Sequence, residues 1–241
     1  MTDPMVIAHR GFAGVTPENT IRAVNAAAPD ADMVEIDVVA CADGTPVVFH
    51  DHRLGGESGS RGITDGHGAV ADLPPETVTA AEVLESGETV PTFDDLLDAT
   101  DAPLNVELKR PAAGDDAPRE RWQPFVDRVL DAIDGREIRL SSFREGALAA
   151  VRERDSTVPL APLSRDAATA AELADWYDAG AVHLSRSAVD EAVVEAAHDA
   201  GRTVAVWTIR TRRQAADADA TGADELITDY PLHRWLGGKS G

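Results

Sequence analysis

Cysteine is almost absent from this chain: Cys41 is the single example in 241 residues. No intrachain disulfide and no cysteine-based zinc site can form, which fits a reducing compartment. Lysine is nearly as scarce, occurring only as Lys109 and Lys239, and 22 basic residues stand against 43 acidic ones. The formal net charge of −21 opposes nucleic acid and anionic membrane alike, because either would stack negative charge on negative charge. Neither nucleic acid nor stable membrane association is expected. Long apolar runs are also missing, so no segment is expected to span a bilayer. The opening residues Met1 to Met5 lack the basic stretch and apolar run of a secretory leader, and a cytoplasmic location is expected. Acid excess with so little lysine matches proteins that work in concentrated salt, where counterions screen an acidic surface. The composition predicts a halophilic protein that needs high salt for activity.

What the chain does have is repetition. Short apolar runs centred near Ile7, Ile36, Val106, Leu140, Leu160, His183, Ala205 and Leu226 are each followed by apolar residues at helical spacing. Eight such units predict an α/β fold, a TIM (β/α)8 barrel, as one domain over residues 1–236 with a flexible tail at 237–241. Trp122, Phe125, Val126, Val129, Leu130 and Ile133 mark one helix, with Pro124 expected in its first turn. Gly180 and Gly201 are expected to end helices. About seventy residues separate Ile36 from Val106, too many for one strand–helix unit. The excess predicts a small insertion after strand 2, at about residues 51–91, with a short helix near Ala80 to Leu84. Its place on the C-terminal face of the barrel suits a cap over substrate.

Chemistry gathers around the stretch from Val34 to Asp51. Two β-branched runs flank Asp43-Gly44, which reads as the turn of a hairpin. A two-residue turn there sets Asp37 opposite His50, and period-two alternation puts Glu35 on the face of Asp37. Carboxylates packed so closely repel unless a cation neutralises them, which suggests a hard divalent metal beside a proton-transferring histidine. Barrel geometry widens the group, since the C-terminal ends of different strands converge on one pocket. His9 and Arg10 end strand one, Glu107 and Lys109 end strand three, and Trp207 ends strand seven. Alternation points Asn105, Glu107 and Lys109 into the barrel. Glu35, Asp37 and Glu107 then supply oxygen ligands, while Arg10 and Lys109 supply cations for an anionic group, most economically a phosphate.

The ordered set His9-Arg10-Gly11, Pro17-Glu18-Asn19-Thr20, Glu35-Ile36-Asp37, Asp43-Gly44, Val47-Val48-Phe49-His50-Asp51, Glu107-Leu108-Lys109, Trp207-Thr208 and Thr228-Asp229-Tyr230-Pro231 resembles the glycerophosphodiester phosphodiesterase family. The resemblance runs from Met5 to Pro231. It implies a metal-dependent phosphoric diester hydrolase that cleaves glycerophosphodiesters to glycerol phosphate and an alcohol. By the same resemblance, Glu35, Asp37 and Glu107 would hold one Mg²⁺ or Ca²⁺, and His9 and His50 would act as general acid and base. Arg10 would contact phosphoryl oxygens, Lys109 would help neutralise the phosphate, and Trp207 would pack against glycerol. Glu18 and Asn19 are expected to organise the loop that positions His9, and Asp51 to orient His50 or cap the turn after it. The chain departs from the family after His50-Asp51, where a glycine-rich segment from His52 to Gly62 replaces an Arg-Thr-Thr-rich one.

Ser141 and Ser142 are candidates to line the pocket. His183 reads first as structural, and His52, His67, His198 and His233 as solvated. Two other functions compete. One is a phospholipase of C or D type acting on intact lipid, which the charge opposes; the other is a catalytically silent barrel that binds a phosphorylated ligand. Both histidines and all three carboxylates are present, and a mere binder has no need of an acid–base pair.

Overall fold

The computed structural model describes residues 3–56, 58–111, 118–133 and 135–232; the expected helix after the eighth strand, His233 and the tail lie outside them. Its strands are β1 (Met5–His9), β2 (Met33–Ala40), β3 (Pro46–Val48), β4 (Arg53–Leu54), β5 (Gly68–Ala69), β6 (Leu104–Arg110), β7 (Ile138–Ser142), β8 (Leu160–Ser164), β9 (Ala181–Ser185), β10 (Thr203–Ile209) and β11 (Glu225–Thr228). Strands β1, β2 and β6 to β11 form a closed parallel ring, β1 pairing with both β2 and β11. This is the expected eight-stranded barrel, and each expected strand centre falls inside a ring strand.

Helices α1 (Ile21–Ala27), α2 (Pro75–Val78), α3 (Phe93–Asp98), α4 (Arg119–Ala132), α5 (Glu145–Arg154), α6 (Ala167–Trp176), α7 (Glu191–Asp199) and α8 (Arg212–Asp219) follow in chain order. Side chains of Thr20, Thr92, Asp166, Asp190 and Thr211 each accept a hydrogen bond from the backbone N–H three residues on. Each such cap is worth about 1 kcal/mol and fixes where its helix starts. Helix α4 begins at Arg119, so Pro124 sits inside it and not in the first turn. Gly201 follows α7 at φ +74°, as expected, but α6 is ended by Asp178 at φ +47°, a conformation that Asp tolerates, and not by Gly180.

The outward faces of the ring strands, including Ile36, Val106, Leu140 and Val206, pack against helix residues such as Trp122, Val126 and Leu148. Inside the barrel, Ile7, Met33, Ala205 and Ile227 form an apolar layer. Beside it a buried Arg139 makes a two-pronged pair with Glu225, at 2.7 and 3.0 Å. The interior is thus filled toward the N-terminal end of the strands, leaving chemistry to the other end.

The insertion has a core of its own. Leu54, Val70, Val78, Ala81, Val83 and Val90 bury themselves against Val39, Cys41, Val47 and Phe49 of the hairpin. Strands β4 and β5 pair antiparallel within it. Its helix is α2, earlier than expected, because Pro75 starts a turn there; Val83 and Glu82 instead make isolated bridges to Thr64 and Thr89.

Candidate active site

Strand register assembles the site. β1 and β2 pair His9 with Glu35, and β2 and β6 pair Asp37 with Glu107. Partners across a ladder share a face about 4.8 Å apart, and Glu35 and Asp37 share a face by alternation. One carboxylate oxygen from each of Glu35, Asp37 and Glu107 therefore lies within 4.8 Å of the other two, and all three residues are buried.

The hairpin differs from expectation by one residue. Its turn is Ala42-Asp43-Gly44, closed by bonds from Gly44 N to Cys41 O and from Cys41 N to Thr45 O, with Gly44 at φ +86°. Both oxygens of Asp43 accept from Thr45, through its N–H and its hydroxyl. A three-residue turn with a left-handed glycine shifts the register, so Phe49 and not His50 lies opposite Asp37. Phe49 turns into the core of the insertion. His50 enters the site because β3 ends at Val48 and the chain bends there.

The acidic trio is flanked by cations. Arg10 Nε lies 2.9 Å from Asp37 Oδ2, an ion pair without hydrogen-bond alignment, and Arg10 N donates to Glu35 Oε2 at 2.9 Å. Lys109 Nζ is 2.9 Å from Glu107 Oε1 and 3.5 Å from Asp37 Oδ1. Asn19 donates to Asp37 Oδ2 and accepts from Asp37 N, while Glu18 accepts from Arg10. The first loop is tightly constrained: Gly11 has φ +74°, and a Cβ there would stand 2.7 Å from the backbone of Ala23 in α1.

Burial would raise the Asp37 carboxyl, but Arg10 and then Lys109 outweigh it and hold Asp37 well below the usual range. Glu35 goes the other way, pushed well up by burial, then by Asp37 and Glu107. Two cations do not balance three crowded carboxylates. Asp37 Oδ1 is buried and accepts no hydrogen bond. An oxygen-only donor set with an orphaned acceptor suits a hard divalent cation such as Mg²⁺ or Ca²⁺, which would relieve both the repulsion and the unmet acceptor.

Each histidine is backed by an aspartate and an arginine. His9 Nδ1 meets Asp229 Oδ1 at 2.5 Å, and Asp229 Oδ2 accepts from Arg210 Nε at 2.7 Å. His50 Nδ1 meets Asp51 Oδ1 at 2.7 Å, and the same oxygen accepts from Arg61 Nε at 2.7 Å. An ionised carboxylate can only accept, so Nδ1 carries the ring proton and Nε2 is left for chemistry. Burial, with a smaller push from Arg10, lowers the pKa of His9 against the opposing bond to Asp229.

Asp229 and Arg210 were not singled out by sequence reasoning, although Asp229 stands in one of the quoted motifs. Arg61 carries no sequence signal at all. It lies near the end of the glycine-rich segment, yet it reaches back to Asp51 and grips both oxygens of Glu18, at 2.8 and 2.7 Å.

Two cavities meet at this cluster. The inner one, about 160 Å³, is lined by His9, Glu35, Asn105, Ser141, His183 and Trp207. The outer one, about 600 Å³, lies between the barrel and the insertion residues His52, Ser60 and Arg61. They share His50, Glu107, Lys109, Phe143 and Arg165. Every expected site residue therefore borders these cavities except Asp37, which lies buried among their lining. Ser141 faces the inner cavity, whereas Ser142 donates to Leu108 O. His183 is fully buried beside Arg139 with Nδ1 unpartnered, so it belongs to the interior of the barrel. His198 is exposed and paired with Asp224.

Known proteins share this fold and much of this sequence pattern. A glycerophosphodiester phosphodiesterase of Bacillus altitudinis is 26% identical over 239 residues, with 94% of each chain covered. An Oleispira antarctica phosphodiesterase, solved with the product sn-glycerol-3-phosphate, superposes with a TM-score of 0.84 at 26% identity, covering 97% of this chain and 96% of that one. The Thermotoga maritima glycerophosphodiester phosphodiesterase shares the fold, with a TM-score of 0.74 at 21% identity over 98% of this chain and 99% of its own. The sequence model of the glycerophosphoryl diester phosphodiesterase family matches residues 9–233. With seven of the eight ring strands, the acidic trio and the two backed histidines inside that match, the chain belongs to this family of phosphodiesterases.

Proposed function

We propose that the protein hydrolyses glycerophosphodiesters to glycerol phosphate and an alcohol, using His9 and His50 as the acid–base pair and a divalent cation held by Glu35, Asp37 and Glu107. The observation that carries this reading is that two histidines, each fixed by an aspartate, flank a buried carboxylate trio. When bound, the cation supplies Lewis-acid polarisation of the phosphoryl group. Arg10 and Lys109 neutralise charge on the phosphoryl oxygens, and the small inner cavity takes the glycerol against Trp207.

His9 lines only the inner cavity, while His50 stands where the two cavities meet. His9, whose pKa burial lowers, takes the proton of a glycerol hydroxyl as that oxygen bonds to phosphorus. Protonated His50 gives its proton to the alkoxide as the bond from phosphorus to the alcohol oxygen breaks, and the alcohol departs through the outer cavity. Water then opens the cyclic phosphate with the two histidines in exchanged roles. The outcome is one glycerol phosphate and one alcohol per water consumed.

No helix among the described residues is long and apolar enough to cross a membrane, and the charge of −21 opposes anionic lipid, which favours a small diester over intact lipid. The test is release of glycerol phosphate from a panel of glycerophosphodiesters with Mg²⁺, with Ca²⁺ and with chelator. Metal-dependent release that His50→Ala abolishes, with ligand binding kept, is expected; release that survives chelation or that substitution overturns the reading.

A further inference from the structure

Arg165 follows β8 and borders both cavities, but it serves neither the acidic trio nor the histidines. Its guanidinium carbon lies 5.4 Å from the ring centre of Phe143 and 5.4 Å from that of Trp207. The two rings themselves pack edge to face at 5.3 Å. Among the described residues Arg165 makes no hydrogen bond and no ion pair. Aromatic faces orient a guanidinium without neutralising it, so its forked donors stay available to a ligand.

Among the described residues, each carboxylate that lines the outer cavity has a cationic neighbour. Asp51 is held by His50 and Arg61, and Glu107 by Lys109. Among the described residues, the guanidinium of Arg165 stands there without a carboxylate partner, in a chain whose net charge is −21. Arg165 borders the outer cavity, by which the alcohol departs, as well as the inner one, and the outer cavity is a space of ordinary ligand size.

We infer that Arg165 selects glycerophosphodiesters whose alcohol carries an anionic group, a phosphate monoester or a carboxylate, over those with a cationic alcohol. The inference rests on the phosphodiesterase reading above. An oxyanion on the alcohol accepts a forked pair of hydrogen bonds from Arg165, while a quaternary ammonium meets like charge there.

The experiment compares kcat/KM, at fixed ionic strength, for glycerophosphocholine, glycerophosphoglycerol, glycerophosphoinositol phosphate and the glycerol phosphodiester of glycolate. The last two diesters separate phosphate from carboxylate. At least one anionic alcohol is expected to exceed choline about tenfold, the scale of one charge-assisted hydrogen bond. Arg165→Ala and Arg165→Gln should each lower the ratio of anionic to neutral substrate about tenfold, and Arg165→Lys should restore part of it. A preference for choline, or a ratio that the substitutions leave unchanged, overturns the inference while the phosphodiesterase reading stands. Absence of turnover with all four diesters overturns both.

Discussion

Arg61 comes from the insertion, and its replacement tests whether that insertion is part of the catalytic apparatus. Its side chain makes three charge-assisted bonds of 2.7–2.8 Å, one to Asp51 and two to Glu18. Such bonds are worth roughly 1.5–3 kcal/mol each when buried, but the Arg61 side chain is 38% exposed, so solvent screening reduces them to about 1 kcal/mol apiece. Both carboxylates also keep a second partner, Asp51 in His50 and Glu18 in Arg10. Arg61→Ala is therefore expected to lower stability by about 2–3 kcal/mol, read from urea unfolding. Its effect on turnover should be larger than that loss suggests, because Asp51 orients His50 and Glu18 anchors Arg10. A displacement of the order of 1 Å in such groups lowers kcat up to about a hundredfold. Steady-state kinetics on the folded variant should show kcat reduced ten- to a hundredfold, with a smaller change in KM. Arg61→Lys should recover little, since an ammonium cannot bridge two carboxylates as a planar fork does. Lowered stability with kcat unchanged would refute the reasoning and reduce Arg61 to a structural clasp.

Asp229→Asn should lower kcat by roughly 10²–10⁴-fold, because the amide neither fixes the Nδ1–H form of His9 nor stabilises its cation, and steady-state kinetics showing only a raised KM would count against this. His183 gives a pH signature: burial, then Arg139, holds its pKa well below 6.5, so below about pH 6.5 the unfolded chain binds a proton that the folded chain does not. Stability should fall with pH from there by up to about 1.4 kcal/mol per unit, and His183→Gln should remove that share of the slope between pH 7 and 5, whereas parallel profiles would refute it. The charge of −21 predicts that molar potassium chloride raises the unfolding temperature and the activity together, and full activity in dilute buffer would argue against a halophilic protein. Leu54→Ala, at the centre of the insertion's core, should cost about 2–5 kcal/mol in urea unfolding, and a loss under 1 kcal/mol would mean that core is not cooperative with the barrel.

The ring strands were legible because each is a short apolar run and apolar periodicity is a local property. Convergence of His9, Glu35, Asp37 and Glu107 on one pocket followed from parallel strands once a barrel was assumed, whereas the register that pairs His9 with Glu35 and Asp37 with Glu107 is visible only in the structure. The hairpin register was not legible, since Asp43-Gly44 suits a two-residue and a three-residue turn equally well, and the choice is set by how Asp43 bonds Thr45. His50 was assigned to the right place for a wrong reason. The helix of the insertion was displaced because Pro75 is a local start signal, whereas Ala80 to Leu84 only looks helical in spacing. Arg61, Asp229 and Arg210 act across long stretches of chain, and nothing in their immediate neighbours announces their partners.

The three-residue turn at the tip of the hairpin has a bearing on how this chain could have changed over time. Surface turns are where insertions and deletions are ordinarily tolerated. Here the tip acts as a phase setting for everything after it, because Phe49 bonds to Asp37 O and fills the core of the insertion while the next residue supplies chemistry. Lengthening or shortening the tip by one residue would exchange the two faces of β3, sending Phe49 toward water and drawing His50 out of reach. Descendants of this sequence can vary the glycine-rich segment around Arg61, but they inherit the length of a turn that touches no substrate.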